Sequence, residues 1–311
     1  MVGVAMCAAW ATACGFTPLA ASAPDLSHAE QAIGHPVELA AGQIRSLDHP
    51  AFEHAAAEHA FWSPLALLED GGAGIFFLEP YDPERIPVLF IHGIGGSPRD
   101  FRHMIESLDR SRFQAWVFNY PSGFRLEGVV TLLHKILAKL EQRHQVDTLF
   151  VTAHSLGGLI SLGYTKSARA KGEHVKLLVT FSSPWEGVPW AAIGARRMPF
   201  PVPSWHDLAP GSEFLTSLRT PARQEEHPPP HYVFFGFHRS ASLINTESSD
   251  GAISVSSQLP QWIQDQAESY WGYDVTHAGM LSDGAVLERY NAVLEATANR
   301  LRTIRSASTC P

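Results

Sequence analysis

The chain has 311 residues, 45% hydrophobic and 17% charged, a globular balance long enough for one large α/β domain or two small ones. That balance excludes extensive disorder, and a formal net charge of -8 excludes the basic field that nucleic-acid binding requires. Cys7, Cys14 and Cys310 lie outside the body of the chain and read as neither a disulfide framework nor a metal site. His49, His54 and His59 fall five apart and share no helical face, so no metal site is expected there, and no cofactor is expected.

Met1 to Phe16 carries no charge and is rich in small and apolar residues. It is too short to span a membrane and reads as the apolar region of a secretory signal within residues 1–22. Ala11-Thr12-Ala13-Cys14, followed by Gly15, resembles a bacterial lipobox, with Ala11 where Leu is usual. The resemblance implies a lipidated Cys14, membrane association and an exported protein in the periplasm or envelope. Simple secretion is the alternative. Residues 23–73 follow as an N-terminal helical extension, in which "FEHAAAEHAFWSPLALLE" is helical up to Ser63-Pro64.

From Gly74 to the C-terminus the chain reads as one domain in which strands and helices alternate. "GIFFLEP" and "IPVLFIHG" are short apolar runs bounded by Gly and Pro, hence strands. "SPRDFRHMIESLDR" is a helix capped by Ser97, with Pro98 in its first turn. "FQAWVFNY" is a strand stopped by Pro121-Ser122-Gly123, and "LEGVVTLLHKILAKLEQRH" is an amphipathic helix. The strand "DTLFVTA", the helix "LGGLISLGYTKSARAKG" and the strand "HVKLLVTFSSP" follow. Continuous apolar strands alternating with helices predict a parallel sheet covered on both faces. Residues 185–206 break the rhythm with Trp185, Trp190, Trp205 and several prolines. They are either a cap over a pocket or irregular packing; their place after a strand end favours the cap and makes these tryptophans candidates for lining the pocket. "HYVFFGF" and "SYWGYDV" are the last strands, and Asp283 to Ile304 the last helix.

The corner Val151-Thr-Ala-His-Ser-Leu-Gly-Gly-Leu159 adds a serine and two glycines where packing needs neither. A serine hydroxyl is a poor nucleophile unless held away from the backbone and beside a base, and a sharp strand-to-helix turn holds it so. Such a turn demands small neighbours, here Ala153 and Gly157, while Gly158 lets the helix lie close to the strand.

Ala153-His154-Ser155-Leu156-Gly157 resembles the nucleophile elbow of the α/β-hydrolase superfamily. His92-Gly93-Ile94-Gly95-Gly96-Ser97, about 60 residues earlier, resembles the oxyanion loop of bacterial lipases and esterases. "FSSPWEG" and "LAPGSEFLTSL" are similar to segments of the lipase branch that also resembles the GPI inositol-deacylases, with Trp185 in place of a His. The resemblance covers about Gly74 to Leu301. It implies an α/β-hydrolase fold and a serine hydrolase of carboxylic esters, an esterase or lipase acting on small-molecule ester or lipid substrates. Thioester or amide cleavage, or a specialised lipid deacylation, would use the same residues, and a non-catalytic binding protein could keep the fold.

The family's chain order of serine, acid, histidine implies Ser155 as nucleophile and His277, in "GYDVTHAGML" after the last strand, as base. Asp250, in "ESSDGAISVSSQ", is the favoured acid, with Glu247 and Asp274 as competitors. The backbone N–H groups of Ile94 and Leu156 match the oxyanion donors. His92 is expected to support the oxyanion loop. His154 is expected to point away from the serine, toward the pocket or the sheet edge.

Overall fold

A computed structural model of the protein describes residues 37–167, 174–199, 201–220, 228–238 and 248–308. The expected signal segment, residues 1–22, together with Cys7, Cys14, Cys310 and Glu247, lies outside the described residues.

The apolar runs form eight strands: β1 (Ala40–Ile44), β2 (Gly74–Phe77), β3 (Ile86–Ile91), β4 (Phe113–Asn119), β5 (Leu149–His154), β6 (Val175–Phe181), β7 (His231–Gly236) and β8 (Ser269–Tyr273). They make one sheet in the order β1-β2-β4-β3-β5-β6-β7-β8. Strands β3 to β8 are mutually parallel, β2 is antiparallel to β4, and β1 is parallel to β2, so the two strands at that edge run against the rest.

Side chains alternate across each strand, and both faces are dry. Leu89, Ile91, Val151 and Ala153 enter one apolar layer, while Val88, Phe90 and Phe150 enter the other. The helix Leu126–His144 covers the first layer with a stripe at helical spacing, including Leu126, Val129, Leu133, Ile136, Leu137 and Leu140. Burying one such leucine contributes about 1.5–3 kcal/mol. The final helix, Gly284–Ser308, covers the second layer with Val286, Tyr290, Val293 and Leu294. The helix Leu156–Lys166 lies on the first face and carries the serine corner at its start.

The described part of the segment expected as a helical extension holds two helices, His54–Trp62 and Pro64–Glu69, and also β1, which the sequence did not announce. The strand "AAGQI" has one β-branched residue and is recruited by register against β2. The expected Ser97 cap is present: Ser97 Oγ accepts from Arg99 N at 3.2 Å, and Asp100 Oδ2 accepts from Ser97 N at 3.0 Å. The element it starts is a 3₁₀ turn, Pro98–Phe101, continued by the short helix Arg102–Glu106.

His231, the first residue of β7, is buried and shares a 2.8 Å hydrogen bond with Thr180 Oγ1. Burial, and then the charge of Lys166, lower its pKa to about 3. The unfolded chain takes up this proton below about pH 6.5, whereas the fold keeps the ring neutral. The stability from the neutral ring is therefore complete above that pH and is lost as pH falls toward the folded value. In urea unfolding between pH 6.5 and 4, the wild type should lose up to about 1.4 kcal/mol per pH unit more than His231→Gln. Parallel slopes for the two proteins would contradict this.

Candidate active site

β5 passes into the helix Leu156–Lys166 through Ser155 alone. Ser155 has φ 54° and ψ -122°, a backbone state that costs a side-chain-bearing residue about 1–3 kcal/mol. Its N–H donates to Phe181 O at 2.8 Å, which ties the turn to the end of β6. The glycines answer a measurable crowding. A Cβ on Gly157 would lie 2.2 Å from Ile91 O, and one on Gly158 would lie 2.8 Å from Ser183 Cβ.

The loop after β3 closes over this turn. A Cβ on Gly93 would lie 3.0 Å from Ser155 Cβ. Gly95, at φ 63°, donates its N–H to Ser122 Oγ at 2.9 Å. His92 is buried, its Nδ1–H donates to Gly93 O at 2.8 Å, and its ring stacks on Tyr120 at 4.2 Å. The Tyr120 hydroxyl donates to His92 O at 2.6 Å. Burial lowers the His92 pKa to about 4 against the Gly93 hydrogen bond, so the ring is a neutral brace for the loop. Among the described residues, neither Ile94 N–H nor Leu156 N–H has a protein acceptor.

Across the turn stands a carboxylate–imidazole pair. Asp250 is buried, and its Oδ2 accepts from His277 Nδ1 at 2.6 Å. Oδ1 accepts from Ile253 N at 2.8 Å and Ala252 N at 3.0 Å, and Asp250 O accepts from His277 N at 2.9 Å. Burial pushes the carboxyl up, but the bond and charge of His277 and these two amides outweigh it and hold it below the ordinary carboxylate value. An ionised acceptor on Nδ1 fixes that proton and leaves Nε2 free to take another. Of the two competing acids, Asp274 meets His238 at 3.2 Å on the surface, and Glu247 lies outside the described residues.

One support, Gln258, escaped the sequence reading, and one contact of the expected His154 is new. Gln258 is fully buried and clamps the acid loop to the end of β7, accepting from Gly236 N at 2.8 Å while donating to Gly236 O and Ile253 O. His154 is the last residue of β5, at the C-terminal edge of the sheet. Its ring is buried 4.6 Å from that of His277. A lone Gln in a sequence carries no signal for such a clamp, and the motif that marks His154 does not reveal its partner.

Residues 185–206 hold two helices, Pro189–Arg197 and Pro203–Leu208. Arg125 pairs with the buried Asp207, whose Oδ2 also accepts from Leu126 N at 2.7 Å, and Ser204 N donates to Gly123 O at 3.0 Å. These bonds moor the segment beside the end of β4 and the loop after β3. Of its tryptophans, Trp190 is exposed, Trp205 is buried edge-on to Trp62, and Trp185 is buried against Trp262 and His231. A separate cavity of about 450 Å³ lies at the opposite edge, where β3 and β5 begin, between Tyr81, Arg85, Arg112 and Arg302. Arg85 and Arg112 are already paired there with Glu79, Asp82 and Glu295.

This sheet order, with the turn after β5 and the pair beyond β7 and β8, is the architecture of an α/β hydrolase. Residues 86–289 match the family described as alpha/beta hydrolase fold, and the chain belongs to that family. Among solved structures it is similar to the mature lipase BlEst2 of Bacillus licheniformis, at 16% identity and a TM-score of 0.56, over 71% of this chain and 97% of that one. It is also similar to a monoacylglycerol lipase of Paleococcus ferrophilus, at 15% identity and a TM-score of 0.51, over 72% and 98%. A third likeness is to the metagenome-derived lipolytic enzymes LipS and LipT, at 16% identity and a TM-score of 0.51, over 72% and 98%. No curated protein matches the chain by sequence.

The strain at Ser155 has a measurable consequence. Glycine adopts its backbone angles freely and alanine does not, so Ser155→Gly should unfold at higher urea than Ser155→Ala. The gap should be about 1 kcal/mol once glycine's greater unfolded entropy is set against the relieved strain. An alanine variant as stable as the glycine variant would show that the turn is unstrained.

Proposed function

We propose that the protein is a serine hydrolase of carboxylic esters, with Ser155, His277 and Asp250 as its catalytic triad. The observation that carries this reading is the 2.6 Å Asp250–His277 bond beside a strained serine turn, in the chain order serine, acid, histidine. Family membership and likeness to lipases support it.

In the proposed reaction, Ser155 Oγ attacks the ester carbonyl carbon while its proton passes to His277 Nε2. The carbonyl oxygen becomes an oxyanion held by the N–H groups of Leu156 and Ile94. Collapse breaks the acyl–oxygen bond, and His277 returns the proton to the departing alcohol. Water then attacks the acyl-serine, losing a proton to His277, and collapse releases the acid as His277 returns that proton to Ser155 Oγ. Asp250 stays ionised, fixes the tautomer and stabilises the imidazolium. The exposed Trp190 and the apolar segment around it favour acyl-chain substrates over small acyl groups.

Hydrolysis of p-nitrophenyl esters from acetyl to palmitoyl tests the assignment. Activity should rise with chain length and vanish in Ser155→Ala. In Asp250→Asn, kcat should fall by about three to four orders of magnitude. A folded Ser155→Ala that turns over like wild type would sink the proposal.

A further inference from the structure

We infer that His154 is a positioning residue for His277, holding the base loop to the serine turn through its ring Nε2–H. The inference rests on His277 being the base, as proposed above.

His154 is the last residue of β5 and the immediate neighbour of Ser155. Its Nε2 lies 3.1 Å from His277 O. A carbonyl oxygen only accepts, so Nε2 carries a proton, and with the buried ring neutral Nδ1 is bare. That second nitrogen faces the oxyanion loop, where a Cβ on Gly93 would come within 3.4 Å of it. One imidazole therefore spans the distance from the oxyanion loop to the base loop.

The contact supplies what Asp250 does not. Asp250 holds Nδ1 and the backbone N–H of His277, on the N-terminal side of the residue. The His277 carbonyl, on the C-terminal side, is held by His154 alone among the described residues. The two rings also pack at 4.6 Å with a 45° tilt, which limits rotation of the His277 ring on that face.

The neutrality of His154 matters because the base must become positive beside it. Burial, and then the charge of His277, lower the His154 pKa to about 3, against the raising effects of the His277 carbonyl and Asp250, with His92 adding to the lowering. His277 can therefore take a proton without facing a second imidazolium. The same depression disqualifies His154 as a general base near neutral pH.

Two substitutions in the full chain separate the donor from the ring. His154→Phe keeps a flat ring and removes the donor. His154→Gln removes the ring and keeps an amide donor at similar reach. On a p-nitrophenyl ester, His154→Phe should lose about 10- to 100-fold in kcat with KM little changed, the cost of a base misplaced by about 1 Å. His154→Gln should recover most of that loss. Wild-type turnover in the Phe variant, or an equal loss in both, overturns the inference. The low-field NMR signal of the proton in the Asp250–His277 bond gives a readout independent of turnover. Its exchange with solvent should quicken in His154→Phe and not in His154→Gln, and unchanged exchange in His154→Phe also overturns the inference. If the wild type cleaves no ester, the catalytic reading fails by itself, and the NMR signal still decides whether His154 holds the loop.

Discussion

The contact on which the site depends is the approach of the helix Leu156–Lys166 to the ends of β3 and β6. The backbone at Gly157 sits where a single methyl would collide with Ile91 O, and Gly158 sits against Ser183. Once the helix starts that close, the turn before it has room for only one residue, and Ser155 takes a backbone conformation that side chains avoid. The loop after β3 then arrives within contact of the same serine, because Gly93 also lacks a side chain. Two apolar layers, with Leu89 and Ile91 on one and Val88 and Phe90 on the other, hold the sheet rigid enough to bear this strain.

Three imidazoles crowd this corner, and their surroundings divide them. His92 and His154 are kept neutral by burial, with pKa values lowered to about 4 and about 3. His277 alone faces a buried carboxylate, which is itself kept charged by the imidazole and two backbone amides. One ring is therefore hydrogen-bonded to a charged carboxylate, while its two neighbours are neutral hydrogen-bonding braces. The costs are those of burial, and the hydrophobic layers on either side of the sheet offset them.

Much of this was legible in the sequence because it follows from period and punctuation. Continuous apolar runs such as "IPVLFI" and "VKLLVTF" became parallel strands buried on both faces, and the stripe from Leu126 to Leu140 became the helix it predicted. Small residues around Ser155 marked a turn that only close packing requires. Strand β1 was illegible because Ala-Ala-Gly-Gln-Ile carries little strand preference and pairs through its backbone. Trp185 looked like a pocket residue from composition, yet it is wholly buried, since nothing in a tryptophan's spacing tells a cap from a core. The contacts of His154 and Gln258 join segments more than a hundred and about twenty residues apart, so only the fold could reveal them.

The most direct test of the central claim is the reactivity of Ser155 itself. The folded protein is treated with a fluorophosphonate at neutral pH, and its peptides are mapped by mass spectrometry. Attack by a serine oxygen on phosphorus expels fluoride and leaves a stable adduct. A single adduct on Ser155, formed quickly in wild type and far more slowly in His277→Ala, is the result this account predicts. An adduct on another serine, or none on a folded chain, would contradict it.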